Sequence, residues 1–282
     1  MLKSKNNNFL VQKSRGFLKS KNNNFLVQKT HGFLKSDLHI HTHEDPYDSW
    51  FVKYSAKDLI RLAAKQKFEV LSITNHMSVF FNQAIKSYAK KKGILLIPGA
   101  EARIQGKDVL IINITNDELA KIKKFDDLEK IKDSALIIAP HPFFLTGHCL
   151  DTKLVKHIDK FHAIEFSHFY TKALINPFFK FIAGNPRAVA IAEKYHKPII
   201  GTSDAHKLYE LGSTFTWIDS SKNKDAVIDA VKRNRIRIET NPMPTYLFFR
   251  RMFGAFIKEG VMKQTILRKS IEKRKKAALQ KI

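Results

Sequence analysis

The sequence predicts an α/β fold in which short parallel strands alternate with helices and share one polar end. Three observations lead there. From Asp37 onward, short aliphatic or β-branched runs alternate with stretches of helical spacing, the pattern of parallel βα units. His, Asp and Glu recur at the C-terminal ends of those runs, where active sites form in a parallel barrel or an open parallel sheet. The 282 residues, 44% hydrophobic and 27% charged, suit a soluble globular chain with a full core.

Leu38–His41 is the first candidate strand. Val70–Thr74 and Ile94–Pro98 follow, with helical spacing across Ala56–Lys67 and Asn82–Lys92. Val109–Ile114, Ala135–Ala139 and Ala163–Phe166 are the next three runs. Pro186, suited to a first helical turn, opens a helix that includes Val189–Tyr195. Pro198–Gly201 and Phe215–Ile218 close the series.

The ends differ from this middle. Leu2–Phe17 recurs almost unchanged as Leu18–Phe33, and a third copy stops at Ser36. A 16-residue period in two copies is too short for a stacked solenoid. Its triple-Asn runs favour turns and disorder. Residues 1–36 therefore read as a flexible basic arm, 37–245 as the folded domain and 246–282 as an amphipathic, helical basic tail. The net charge is +24, from 50 Lys and Arg against 26 Asp and Glu. Much of it lies in the ends: residues 1–36 hold no acidic residue, and 246–282 only Glu259 and Glu272. Such ends suit a polyanion, either nucleic acid or an anionic surface.

One cysteine, Cys149, excludes a disulfide framework and a thiolate-built zinc site. No apolar run reaches the ~20 residues that span a bilayer. The N-terminal stretch lacks the pattern of a secretory signal, so a cytoplasmic location is expected.

The chemistry gathers at the strand ends. His39 and His41 lie two apart on one strand, so both imidazoles face the same side. Asp204 and His206 repeat that spacing with one carboxylate. His76, Glu101 and His141 add nitrogen and oxygen donors. A thiolate-free mixture of this kind suits Zn²⁺, Mn²⁺ or Fe²⁺ better than Ca²⁺. The donors exceed what one ion needs, so two or three divalent ions are expected, with Glu101 able to bridge.

In order, Asp37–Thr42 (DLHIHT), Ile73–His76 (ITNH), Pro98–Ala102 (PGAEA), Pro140–Pro142 (PHP), Ile164–Phe166 (IEF) and Gly201–His206 (GTSDAH) resemble the motifs of the PHP family, the polymerase and histidinol phosphatase superfamily. Asn185, Arg187-Ala188 and Leu211-Gly212 resemble its smaller stand-alone members. The resemblance implies a distorted (β/α)7 barrel with a trinuclear metal site. Carried over by position, it makes His39, His41, His76, Glu101, His141, Asp204 and His206 metal ligands. Asp48 best matches a further carboxylate, with Asp45 its rival, and Asp37 would orient an imidazole. Asn75 departs from the family's usual aspartate.

The implied activity is hydrolysis of phosphate esters of nucleotides or small metabolites by metal-activated water. His39, His41, Glu101 and Asp204 would form its centre. Arg103 and Arg187 are candidates to hold phosphate. A leaving-group proton would come from water, His168 or His43. The alternatives are a nuclease acting on single-stranded nucleic acid ends, a non-catalytic nucleic-acid-binding module, or hydrolysis of C–N bonds.

Overall fold

A computed structural model describes residues 32–144, 147–170, 184–251 and 253. The expectations for the N-terminal repeat up to residue 31, and for the tail beyond 253, lie outside these residues. Among the described residues no helix is long and apolar enough to cross a membrane.

Nine strands form one sheet that nearly closes into a barrel: β1 (Phe33–Ile40), β2 (Val70–Ile73), β3 (Leu95–Ile104), β4 (Lys107–Ile112), β5 (Leu136–Ala139), β6 (Ala163–Phe166), β7 (Ile199–Gly201), β8 (Thr214–Asp219) and β9 (Ile236–Thr240). Their order is β7-β6-β5-β4-β3-β2-β1-β8-β9. The ends approach each other near Gly201. Its N–H donates to Thr216 Oγ1 at 2.9 Å, and Thr216 Oγ1 donates to its carbonyl at 2.7 Å. The His41 N–H donates to the Ala205 carbonyl at 3.1 Å, which joins the end of β1 to the segment after β7.

The parallel expectation holds for β1–β2–β3 and for β5–β6–β7. It fails at β4, which is antiparallel to both neighbours. The cause is local: Gln105 (φ 48°) and Gly106 (φ 78°) make a two-residue hairpin turn where a helical crossover was expected. β8 and β9 are antiparallel as well. β9 was not foreseen, although its burial alternates as its sequence IRIET does. The first strand begins at Phe33 rather than at Leu38, because Phe33–Ser36 pair with Thr216–Asp219 of β8.

Helices cover the outside. α1 (Ala56–Lys65) starts at a capping box of Ser55 and Asp58 and buries Leu59, Ile60 and Ala63. α2 (Gln83–Lys91) is capped by Asn82 and buries Ile85 and Ala89. α3 (Asn116–Lys121), α4 (Thr152–Lys156), α5 (Asn185–Lys194) and α6 (Lys224–Lys232) follow. Residues 245–251 are helical too, and Phe248, 1% exposed, packs its ring 4.6 Å from that of Phe169.

One apolar cluster takes residues from most strands, among them Leu38, Val70, Ile97, Leu110, Ile138, Ala163 and Ile200. On β3 and β6 the polar residues Glu101 and Glu165 share the face of Ile97 and Ala163 by period-two alternation. β1 needs an irregularity to match them. Between Asp37 and Ile40 it has one residue more than β2, which shifts the register. A one-residue shift exchanges the faces of a strand. Leu38 thus joins the apolar filling below, while His39 and His41 face the polar end above.

Candidate metal centre

The strand ends bring together the imidazoles and carboxylates that the sequence singled out. Glu101 on β3 is central. Its Oε2 lies 3.4 Å from His39 Nε2, 3.3 Å from His41 Nε2 and 3.1 Å from His76 Nε2. Its Oε1 lies 3.3 Å from His141 Nε2. Asp204 Oδ1 lies 3.4 Å from His39 Nε2 and 3.3 Å from His41 Nε2. His206 Nε2 lies 3.0 Å from Asp48 Oδ2. Four triads have ligand atoms close enough to hold an ion: His39–His41–Glu101, His39–His141–Asp204, His41–Asp204–His206 and His41–Asp45–His76.

The other ring nitrogen of each histidine is held from behind. His39 Nδ1 meets Glu165 Oε1 at 2.8 Å. Asp45 Oδ2 lies 2.9 Å from both His41 Nδ1 and His76 Nδ1. His206 Nδ1 lies 2.9 Å from the Asp204 carbonyl, and His141 Nδ1 lies 3.4 Å from Cys149 Sγ. Fixing Nδ1 from behind sets the tautomer and turns Nε2 forward, as a metal-ligating imidazole requires.

Two strand-end residues of the cluster have left-handed backbones, His141 at φ 26° and Asp204 at φ 43°. Non-glycine residues rarely adopt this conformation, and it costs on the order of 1 kcal/mol or more. The fold bears that cost where it aims these two side chains.

Charge compensation is strong. Burial opposes a charged His39, but Asp204, Glu165 and Glu101 outweigh it and raise the pKa from 6.5 to about 10. His41 and His141 are also raised well above the usual value, against burial, by their carboxylate and thiol neighbours. Burial would raise Glu101 and Asp204, yet the facing imidazoles hold both well below the carboxylate range. Burial, then the nearby His41, pushes His206 down. Glu101 Oε1 and Asp204 Oδ1 are buried and receive no hydrogen bond among the described residues. Buried acceptors facing forward-turned nitrogens fit a divalent cation.

One expectation, the role of Asp37, needs correction. Asp37 does not orient an imidazole. It accepts the backbone N–H groups of His39 (3.3 Å) and Ser203 (3.2 Å), tying β1 to the end of β7. Asn75 faces Thr42, accepting its N–H at 2.9 Å and donating to its hydroxyl at 3.1 Å. Arg103 Nε pairs with Asp108 Oδ1 at 2.8 Å. Arg187 pairs with Asp151 at 2.8 Å and lies 4.2 Å over the Phe143 ring. His43 Nδ1 lies near the carbonyls of Ser49 and Val52, at 3.0 and 3.2 Å. His168 is 3% exposed, and among the described residues neither ring nitrogen has a hydrogen-bond partner.

Glu165 is one of the strand-end carboxylates, but its role is not assigned by its sequence position. Besides His39 it accepts the His141 N–H at 2.6 Å and the Thr202 hydroxyl. Its signal was a carboxylate inside the apolar run AIEF. Asp45 was only a rival to Asp48. The two occupy different places: Asp45 behind His41 and His76, Asp48 against the forward nitrogen of His206.

A family model described as PHP-associated matches residues 183–236. Together with the ordered motifs from Asp37 to His206, the match makes the chain similar to the PHP family. Two uncharacterised proteins of Methanocaldococcus jannaschii are each 27% identical. One match, over 115 residues, covers 38% of this chain and 67% of that protein. The other, over 124 residues, covers 42% of this chain and 49% of that protein, so the match spans about half of its length. The crystal structure of PsfC from Pseudomonas syringae superposes with a TM-score of 0.51 at 17% identity, covering 82% of this chain and 99% of that one. It shows the shared fold.

Proposed function

We propose that this chain is a metal-dependent hydrolase of phosphate esters, acting on nucleotides or small phosphorylated metabolites. One observation carries the reading. Five imidazoles, those of His39, His41, His76, His141 and His206, each have Nδ1 held from behind, and four of them turn Nε2 toward Glu101 or Asp204. His39, His41, Glu101 and Asp204 would form the centre of a site for two or three ions. His76, His141, His206 and Asp48 would complete it, and Glu101 can bridge because its two oxygens face different imidazoles. A bound Mn²⁺, Zn²⁺ or Fe²⁺ supplies Lewis acidity and draws the acidity of water toward neutrality.

The chain's own groups supply position and protons. Glu165 and Asp45 fix the ring planes. Burial lowers the pKa of His168 and keeps it neutral, so its unpartnered nitrogens can exchange a proton with a leaving group. Arg187, with a side chain 55% exposed, can turn from Asp151 to a phosphate. Tyr47, 56% exposed and 6.3 Å from the His76 ring, offers a flat face beside the site. The surplus positive charge of the chain favours an anionic substrate.

The test is phosphate release by purified full-length protein with and without Mn²⁺. Mononucleotides, sugar phosphates and short single-stranded oligonucleotides serve as substrates. Mn²⁺-dependent release from the small esters is expected. Cleavage of oligonucleotides alone would make the protein a nuclease, and binding without any turnover would make it a binding module.

A pH prediction follows. Without a cation, a His39 pKa raised from 6.5 to about 10 contributes stability that is complete below pH 6.5 and lost as pH rises toward 10. Metal ligation needs the unprotonated ring, so it strengthens over the same range. The increase in melting temperature on adding Mn²⁺ should therefore widen from pH 6.5 to 8.5. Thermal melts at fixed Mn²⁺ check this, and a gap that narrows would contradict it.

A further inference from the structure

We propose that Glu210 and Arg251 form a positioning pair for His206, which makes the segment after β9 part of the metal centre. This rests on the metal reading above. Glu210 ends the short turn Leu208–Glu210 and is 2% exposed. Its Oε2 accepts the backbone N–H groups of His206 and Lys207, both at 2.9 Å. The same carboxylate is gripped by a guanidinium from 41 residues further on. Arg251 Nε lies 2.8 Å from Oε1, and Arg251 Nη2 donates to Oε2 at 3.2 Å.

A turn cap needs only Glu210. A buried carboxylate that binds two N–H groups and a remote arginine does more. The guanidinium offsets the cost of keeping that charge out of water and fixes which oxygen faces His206. A second contact supports the same loop. The Arg251 guanidinium lies 5.2 Å from the centre of the Phe51 ring, which is 6.0 Å from the His206 ring. Lys207 Nζ lies 3.8 Å over that Phe51 ring and donates to the Phe51 carbonyl at 2.7 Å. Phe248, packed on Phe169, anchors the helical segment that carries Arg251. His206 is thus held at its backbone by Glu210 and flanked by Phe51, and both neighbours touch Arg251.

The test compares full-length wild type with Arg251→Met, Arg251→Lys and the double variant Glu210→Met/Arg251→Met. Mn²⁺ affinity, the visible spectrum of the Co²⁺-loaded protein and the melting temperature are measured, with titrations well below each melting temperature. Arg251→Met should weaken Mn²⁺ binding by ~10- to 100-fold, as for other groups behind a ligand, and shift the Co²⁺ bands. Arg251→Lys should retain most of the affinity. The double variant removes the unpaired charge but leaves the His206 and Lys207 N–H groups without their acceptor, so it should regain only part of the lost melting temperature while metal binding stays weak.

Wild-type affinity and spectrum in Arg251→Met would overturn the assignment, as would metal binding that recovers in step with melting temperature in the double variant. A wild type that binds no Mn²⁺ would instead overturn the metal reading, and this assignment with it.

Discussion

Asp204→Asn is expected to remove Mn²⁺-dependent phosphate release, by at least the ~10²- to 10³-fold that losing one preorganised electrostatic group costs. Asp204 Oδ1 faces the forward nitrogens of His39 and His41, at 3.4 and 3.3 Å. An amide at that position keeps the shape and loses the charge. The same carboxylate is the leading attraction that holds a proton on His39, so the variant should also lower the His39 pKa. Phosphate-release assays and a titration of the His39 ring by NMR check the two effects separately. Full turnover in Asp204→Asn would place the chemistry elsewhere.

Glu165→Ala should have the next largest effect, because one carboxylate holds two candidate ligands, His39 on β1 and His141 just after β5. Its Oε1 holds His39 Nδ1 at 2.8 Å and its Oε2 accepts the His141 N–H at 2.6 Å. Removing it frees one imidazole to rotate and leaves the half-buried His141 N–H unpaired. Mn²⁺ affinity should fall by ~10- to 100-fold, and stability by about 1–3 kcal/mol for the unsatisfied groups. Glu165→Gln keeps one acceptor and should fall between wild type and alanine. Titration and denaturant melts measure both quantities. Wild-type Mn²⁺ affinity in Glu165→Ala would mean that His39 is not positioned through it.

The polar strand ends were legible because period-two alternation is local. His39 and His41, and Asp204 and His206, show their common face in their spacing alone. The irregularity in β1 was not legible, since it depends on pairing with β2, and pairing is a property of two segments. Strand direction was equally hidden. Val109–Ile114 is as apolar as the parallel strands of the sheet, and only the Gln105-Gly106 turn marks it as antiparallel.

Side-chain roles behind the imidazoles divided the same way. Glu165 stood out as a charge in an apolar run, but its reach to His39 crosses 126 residues. Asp45 and Asp48 share a loop whose path no periodicity encodes. The Glu210–Arg251 pair spans 41 residues between a turn and a later helix. The amphipathic character of the tail is legible, while its division into a buried Phe248 and exposed Tyr246 and Phe249 needs the packed surface of Phe169.

The central claim is that the strand-end donors hold divalent metal. Calorimetric titration of chelator-treated, full-length protein with Mn²⁺, backed by elemental analysis, tests it most directly. More than one ion per chain is expected in wild type, with loss of most of that binding in His39→Ala/His41→Ala and the fold intact by circular dichroism. No stoichiometric binding by wild type, or undiminished binding by the double variant, would contradict the claim.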